Sequence, residues 1–419
     1  MRILLLYIFL STIVPVTLAD TGPDTLYNTQ LSWSLMAGGR TNSLPASFFY
    51  RFHRGGFLDR PYLEHKAEKL EEFNIGGFDY KNGFYLEHQI DSLFKNSSFS
   101  IGLRVEDRYH VSTSFNRDLF RLAFFGNKIF EGNTASAGPF SFRSIAYRYY
   151  GISFGKWISR TDETYRIIGE LAYIEGRRGL EIDLQRATLT TGTDGRFLQL
   201  DLKGQYFESD TTRFSGDRFF WPSAGNGMAG GLQIEWWKND GHYMRFSVRD
   251  LGFLDWKSTG MQYRADSALK FEGFLIPNVL SYHDSLFRMS TDSLKRLNPE
   301  GFRSSRRIFM PAWFSMDYVR DLPDLPLSVN TGIIARAYTS YRPFLYAGCT
   351  WHMRPATDLN LTLGSGGWGG INIQASFDRV FFKSWRLQSG LMQIESVFTP
   401  RNVRGLGLFA SITKKFNYL

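Results

Sequence analysis

The stretch RFLQLDLKGQYF, residues 196–207, decides the fold class that we expect for this chain. Leucines occupy every second position and polar residues the positions between them, in the order Leu198, Gln199, Leu200, Asp201, Leu202 and Lys203. Successive side chains of a β-strand point to opposite faces, so a period of two predicts a strand with one apolar and one polar face.

Two segments further along the chain repeat this alternation. They are GLQIEWW at residues 231–237 and HYMRFSV at residues 242–248. Asn239, Asp240 and Gly241 lie between them, and this run suits the left-handed dihedral angles of a tight hairpin turn. A soluble β-sandwich and a membrane β-barrel would both show this alternation. The compartment and the remaining strands have to distinguish these two fold classes.

The first twenty residues indicate the compartment. Arg2 is followed by an apolar run at residues 3–14, and a small-residue cleavage site ends at Ala19. This order predicts a secretory signal peptide over residues 1–19. An uncleaved anchor helix is the alternative, but the run is shorter than the ~20 residues that a spanning helix needs. We expect residues 20–419 to form one exported domain.

Composition favours a membrane barrel over a soluble exported domain. Beyond the signal there is no window of about 18 uncharged apolar residues, although 16% of the chain is aromatic. Cys349 is the single cysteine, so no internal disulfide can stabilise the domain. A closed barrel, in which every strand is paired, needs no such crosslink. The mean hydropathy of −0.25 is compatible with it, because only alternate residues meet lipid.

Alternating segments recur to the end of the chain, for example at residues 98–105, 358–363 and 370–377. They predict an all-β fold, a transmembrane antiparallel β-barrel in the outer membrane, with about 14 strands in a range of about 12–20. The turns at 191–195 and 239–241 are tight, whereas 209–227 is long, which predicts short turns on one rim and long loops on the other. By this count the long segment 276–307, with a helix-like part at 292–297, falls on the short-turn rim, so one segment is miscounted.

Residues 116–142 interrupt the strand pattern. The segment DLFRLAFF has an acidic start and stops at Gly126, which predicts a short helical insert. Such an insert folds either into the lumen as a plug or onto the surface as a loop held by aromatic residues. The residues that would do either are Asp118, Phe120, Phe124 and Phe125.

Polar residues of the central strands are the candidates for lining the lumen. They are Arg104, Asp201, Lys203, Glu235, Arg245 and Arg249. In a closed barrel these charges either set selectivity for small solutes or form a structural ion-pair network, and the similar number of both signs favours the network.

Two sequence motifs suggest chemistry, but their context argues against it. GISFG, around Ser153, matches a nucleophile motif, yet strand alternation continues through it and no strand-to-helix turn follows. GSGGWG, at residues 364–369, matches a dinucleotide-binding motif but precedes another strand, which indicates a glycine-rich hairpin. The seven histidines show no metal-ligand spacing. We therefore expect no enzyme activity, metal or cofactor, and no nucleic-acid partner.

Three phrases of the sequence resemble a known family. They are DLFRLAFFGNKIF at 118–130, YRYYGISFGKW at 147–157 and FSVRDLGFLDWKS at 246–258. They resemble a family of unknown function of exported barrels in Gram-negative bacteria, related to FadL-like barrels and to PorV-type subunits of type IX secretion. The resemblance implies an outer-membrane barrel and brings no functional residues with it.

Two functions remain open at this point. The FadL likeness implies a transporter or channel for hydrophobic or small amphipathic solutes, with outer-membrane lipid around it and a hydrophobic ligand inside. The PorV likeness implies a non-enzymatic subunit that binds other envelope or secretion proteins. A lumen large enough for a solute, with an insert at 116–142 that moves, would favour the first. A sealed interior together with an apolar or aromatic patch on one rim would favour the second.

Overall fold

The computed structural model describes residues 28–45, 47–48, 51, 58–90, 99–209, 223–272, 301–354, 356–382, 384–395 and 404–416. The predicted signal peptide at 1–19 and the predicted helix-like segment at 292–297 lie outside these ranges. The first strands are β1 Thr29–Thr41, β2 Phe73–Ile90, β3 Phe99–Asn116, β4 Thr134–Ser136, β5 Phe140–Ser159, β6 Glu163–Thr191, β7 Leu198–Glu208, β8 Gly225–Lys238 and β9 His242–Trp256.

The remaining strands complete the sheet. They are β10 Met261–Phe271, β11 Phe302–Arg303, β12 Arg306–Phe309, β13 Trp313–Leu322, β14 Leu327–Arg336, β15 Arg342–Arg354, β16 Thr357–Gly367, β17 Gly369–Phe381, β18 Trp385–Leu391 and β19 Gly405–Phe416. Two short helices, α1 Arg60–Glu68 and α2 Arg117–Phe125, lie in the connections. None of the described helices is long and apolar enough to cross a membrane.

Fourteen of the described strands form a closed antiparallel ring. Its order is β1-β2-β3-β5-β6-β8-β9-β13-β14-β15-β16-β17-β18-β19, and it closes where β19 pairs with β1, from Thr29 opposite Phe416 to Arg40 opposite Gly405. The predicted fold class, a barrel of about 14 strands with a short helical insert, is confirmed.

A smaller sheet projects from this ring. The strand β6 pairs with β8 only over residues 163–176, and its second half, from Leu180 to Thr191, pairs with β7. The strand β10 then pairs with β7, and β11 with the start of β10. We call the second half of β6 together with β7, β10 and β11 the extension. Its twelve-residue β6 segment is about 40 Å long at ~3.3 Å per residue.

The extension explains the miscounted segment. Short connections lie on one rim, at residues 160–162, 239–241, 323–326 and 382–384, and long ones such as 42–72 and 117–139 on the other. The turn at 191–195, predicted from its length to lie on the short-turn rim, is at the tip of the extension on the long-connection side. Phe271 at the end of β10 pairs with Leu198 beside this tip, and Phe302 of β11 pairs with Gln262 of β10, so the described ends of the next connection both lie on the long-connection side.

Burial in the ring is reversed relative to a soluble protein. Large apolar side chains are exposed on the outer face, for example Leu103 at 52%, Leu171 at 62% and Leu361 at 51%. Charged side chains on the inner face, such as Glu106 and Arg108, are buried. An apolar outer surface is stable only in an apolar solvent, and closing the ring leaves no free edge in it. The ring is therefore a transmembrane barrel of the outer-membrane type.

Candidate functional site in the lumen

Charged side chains meet in the middle of the lumen. The guanidinium of Arg108 is 2.5 Å from Asp250 and 2.6 Å from Glu106. Arg104 also contacts Glu106, at 3.0 Å, and reaches Glu170 at 3.3 Å. At Asp250 the backbone has a φ of 58°, beside an irregular register between β8 and β9, and this turn of the chain directs its carboxylate inward.

A second group of charges lies toward the short-turn rim. Arg245 is 2.9 Å from Asp317, and the Tyr346 hydroxyl donates to the same carboxylate. Glu235 accepts a hydrogen bond of 3.0 Å from Tyr243. Its carboxylate is also 3.7 Å from Arg166, whose guanidinium donates a hydrogen bond to Glu87. These pairs join neighbouring and more distant strands into one polar network.

A third group of charges crosses the lumen near the long-connection rim. The Arg336 guanidinium is 2.5 Å from Asp79, and the side chains are only 3% and 7% exposed. His110 Nδ1 also lies 2.7 Å from Asp79. We call this contact the Asp79–Arg336 bridge. Three aromatic rings surround the guanidinium, with centroids at 4.2 Å for Trp313, 4.8 Å for Tyr341 and 5.1 Å for Trp368.

The Asp79–Arg336 bridge joins opposite walls of the barrel and so narrows the lumen between them. Strands β2 and β14 are second and ninth in the order of the 14-strand ring, so they lie opposite each other. Fourteen strands spaced by ~4.8 Å and tilted by roughly 40° would enclose a circular section about 28 Å across. Contacting Asp and Arg side chains span only roughly 13 Å between their backbones, at about 1.5 Å per bond. The opposite walls therefore approach each other here.

Trp368 completes this closure from the loop side. It lies in the turn between β16 and β17, where Gly366 and Gly367 have φ of 110° and 67°, a left-handed conformation that favours glycine. The turn directs the indole inward onto β2, so close to Gly77 that a Cβ there would lie 2.1 Å from the ring. Burial raises the pKa of the neighbouring Tyr341 phenol to about 12, so this side chain stays neutral.

Two apolar clusters flank the charges. The first, which we call the rim-side cluster, contains Met36, Ile75, Trp313, Ile334, Tyr341, Phe344, Tyr346, Trp368, Met392 and Phe409. The second is centred on β5, β6, β8 and β9 and contains Ile145, Tyr147, Tyr149, Ala172, Ile174, Phe207, Ala224, Ala229, Leu254, Trp256, Ile308 and Met310. Both clusters are buried, so apolar side chains pack together beside the charged groups.

Four of the six predicted lumen residues lie on the inner face of the ring. Arg104, Glu235 and Arg245 belong to the charge groups described above. Arg249 donates to Gln233, at 2.6 Å, and stays exposed although it lies on this face, so the lumen is not filled there.

Asp201 and Lys203 require a correction. Both lie on β7, which pairs with the extended half of β6 and with β10 and is outside the ring. Asp201 pairs with Arg186 at 2.9 Å and Lys203 with Asp266 at 3.1 Å, all four side chains being 32–63% exposed. Their strand has the same alternation as the ring strands, so the sequence pattern did not separate the two.

The helical insert lies on the long-connection rim. Helix α2 begins after Asn116, whose side chain caps it, and Phe120 and Phe124 pack against Phe48. Phe125 adjoins the same cluster, which includes residues of α1, and Asp118 accepts a hydrogen bond from the backbone of Ser136. These contacts place the four predicted residues as a surface loop held by aromatic residues.

Sequence reasoning missed Asp79, His110, Arg336 and Trp368. The alternation around each places it on an inner face, but nothing in the sequence indicates that β2 and β14 meet. Ser153, by contrast, lies inside β5 with its side chain 3.4 Å from the Tyr85 hydroxyl, and the GSGGWG motif forms the β16–β17 hairpin.

Comparisons with known proteins give one matching family and several similar solved structures. A family of unknown function (DUF5723) matches residues 79–364, and this confirms the resemblance drawn from the sequence. No curated protein matches the chain. The toluene transporter TodX from P. putida is similar at 9% identity and a TM-score of 0.44, over 95% of this chain and 92% of that one.

Two other solved structures are similar at the same level. The toluene transporter TbuX from Ralstonia pickettii has 11% identity and a TM-score of 0.43, over 94% of this chain and 92% of that one. A FadL homologue from Pseudomonas aeruginosa has 10% identity and a TM-score of 0.40, over 94% of this chain and 91% of that one. At these values the likeness identifies no substrate for this chain.

Proposed function

This chain belongs to the family of unknown function DUF5723, and we propose that it is an outer-membrane transporter of hydrophobic or small amphipathic solutes. The observation that carries the proposal is the rim-side cluster, whose ten buried apolar residues lie inside the barrel. A pore for ions or sugars would have a polar, wet wall. The apolar part of the lumen formed by this cluster instead offers a solute of low polarity the burial that it lacks in water.

Transport through this lumen requires a change of conformation. The Asp79–Arg336 bridge joins opposite walls beside the rim-side cluster, so the structure corresponds to a closed state. A solute that enters from the long-connection rim has to separate Asp79 from Arg336, or displace the Trp368 indole that covers Gly77. The proposal is therefore a gated transporter and not a static pore.

Uptake into proteoliposomes tests this proposal. A fluorescent apolar dye, or a sugar of similar size, is added outside vesicles that contain the wild-type chain. Its rate of entry is compared with the rate into vesicles without protein. We expect the chain to accelerate entry of the dye only, and the double variant Asp79→Asn/Arg336→Met to accelerate it further. Equal rates for wild type, double variant and empty vesicles would contradict transport.

An alternative is a non-enzymatic subunit of an envelope assembly or secretion complex. The observation that favours it is the extension, a sheet whose β6 segment is about 40 Å long and which carries exposed ion pairs such as Arg186–Asp201. Affinity purification from detergent-solubilised envelopes distinguishes the two functions. Stoichiometric recovery of an envelope protein, lost when the tip at 191–197 is shortened, would favour the subunit; recovery of the chain alone would exclude it.

A further inference from the structure

The outer wall of the barrel has a groove across β15 to β19. Its volume is about 690 Å³, within the range of ligand pockets. Two rows of outward side chains line it, in register across neighbouring strands: Cys349, Leu361, Ala375, Leu391 and Leu408, then Trp351, Leu359, Phe377 and Ser389. Small side chains, Ala375 and Ser389, lie between large ones, and this contrast in size makes the wall concave.

Basic side chains lie at the end of the groove nearest the short-turn rim. Arg379 is two residues beyond Phe377 on β17, and it is exposed with its guanidinium 4.9 Å from the Phe381 ring. Lys414 on β19 lies 5.0 Å from the Trp385 ring. Across the described residues, neither cation is within ion-pair distance of a carboxylate. An apolar groove thus ends at two cations without an acidic partner.

The dimensions of the groove match one leaflet of a bilayer. Leu408 and Lys414 are six residues apart on β19, about 20 Å along a strand. With a strand tilt of roughly 40°, this corresponds to about 15 Å across the membrane, half of the ~30 Å hydrocarbon thickness. A chain that fills the groove from Leu408 therefore ends in a head group at the level of Lys414 and Arg379.

We propose that this groove binds one anionic phospholipid, with an acyl chain over Ala375 between Leu361 and Leu408, and the phosphate beside Arg379 and Lys414. The solvent of this face is lipid, so the occupant is a lipid and not a free anion. Each basic residue near a membrane surface attracts an anionic lipid by ~1 kcal/mol, about a fivefold preference over a zwitterionic lipid. This inference does not depend on transport, since the groove is outside the lumen.

Native mass spectrometry of the full chain in detergent tests the site, with phosphatidylglycerol or phosphatidylcholine of identical acyl chains added. Ala375→Trp fills the groove, and Arg379→Gln removes a cation. Met316→Trp and Arg320→Gln are the matched controls, because both residues are exposed on β13, outside the groove. Heat-dependent gel migration shows that each variant is folded.

We expect the wild type, with both Arg379 and Lys414, to retain one phosphatidylglycerol about thirtyfold more strongly than phosphatidylcholine. Ala375→Trp should weaken retention of both lipids at least tenfold, and both controls should behave as wild type. Arg379→Gln should lower the preference to about fivefold, because Lys414 remains. Equal retention of the two lipids by the wild type, or equal losses in Ala375→Trp and Met316→Trp, would overturn the proposal. A dimer mass that disappears in Ala375→Trp would assign the groove to a second copy of the chain and overturn it too.

Discussion

Substitution of Asp79 by Asn leaves the Arg336 guanidinium in the lumen without its carboxylate. The two side chains are 2.5 Å apart and 7% and 3% exposed, so water cannot replace the lost partner. Removing one member of a buried ion pair costs about 3–5 kcal/mol. We therefore expect Asp79→Asn to lower the free energy of unfolding by that amount, as measured by equilibrium urea unfolding in lipid vesicles with tryptophan fluorescence.

A second substitution separates the charge effect from loss of packing. Arg336→Met in the Asp79→Asn background removes the uncompensated charge and keeps an apolar side chain among the three aromatic rings. We expect the double variant to recover at least about 2 kcal/mol relative to Asp79→Asn, since contacting residues of one network couple by about 0.5–3 kcal/mol.

An exposed ion pair of similar geometry provides the control. Arg307 and Asp255 are 2.7 Å apart but 60% and 43% exposed, and such pairs contribute about 0–1 kcal/mol. Asp255→Asn should therefore change the free energy of unfolding by less than about 1 kcal/mol. Equal losses in Asp79→Asn and Asp255→Asn, or a double variant no more stable than Asp79→Asn, would refute the role of the Asp79–Arg336 bridge.

Three other substitutions test separate parts of the structure. Gly77→Ala places a Cβ 2.1 Å from Trp368 and should lower the free energy of unfolding by about 1–3 kcal/mol. Gly169 has open space around it, so Gly169→Ala should change the free energy of unfolding by less than about 0.5 kcal/mol. Leu171→Arg on the lipid face should lower the free energy of unfolding in vesicles by about 2–4 kcal/mol. A loss of less than about 0.5 kcal/mol would indicate that this wall faces water. Asn116→Ala removes the cap of α2 and should cost about 1 kcal/mol locally, seen as faster amide hydrogen exchange in α2 alone.

Strand periodicity predicted the ring because lipid and a closed lumen impose a period of two on every strand. It could not separate β7 from the ring strands, since a strand with two water-exposed faces can carry the same alternation. Asp201 and Lys203 were therefore assigned to the lumen, although their strand pairs only within the extension. The same error assigned the turn at 191–195 to the short-turn rim, and the connections after it were therefore assigned to the wrong rims.

The lumen contacts were less accessible to sequence reasoning than the strands. The alternation along β2 and β14 places Asp79 and Arg336 on the inner face of each strand, opposite the outward apolar side chains. Whether the two side chains meet depends on how the whole ring closes. The inward turn of Trp368 depends on the left-handed glycines before it, which the motif GSGGWG contained and which we interpreted as a simple hairpin. Pairing across a ring is a long-range property, and no local pattern records it.

The central claim is that the outer face of the ring meets lipid, and the single cysteine tests it without a designed reporter. Cys349 is exposed on this face. In vesicles we expect it to react with a lipid-soluble maleimide and to resist a charged, membrane-impermeant maleimide present on both sides. Asn239→Cys in a Cys349→Ser background, in a turn at the rim, should react with both reagents. Equal labelling of Cys349 by the two reagents would contradict the account, because it would mean that water reaches the wall.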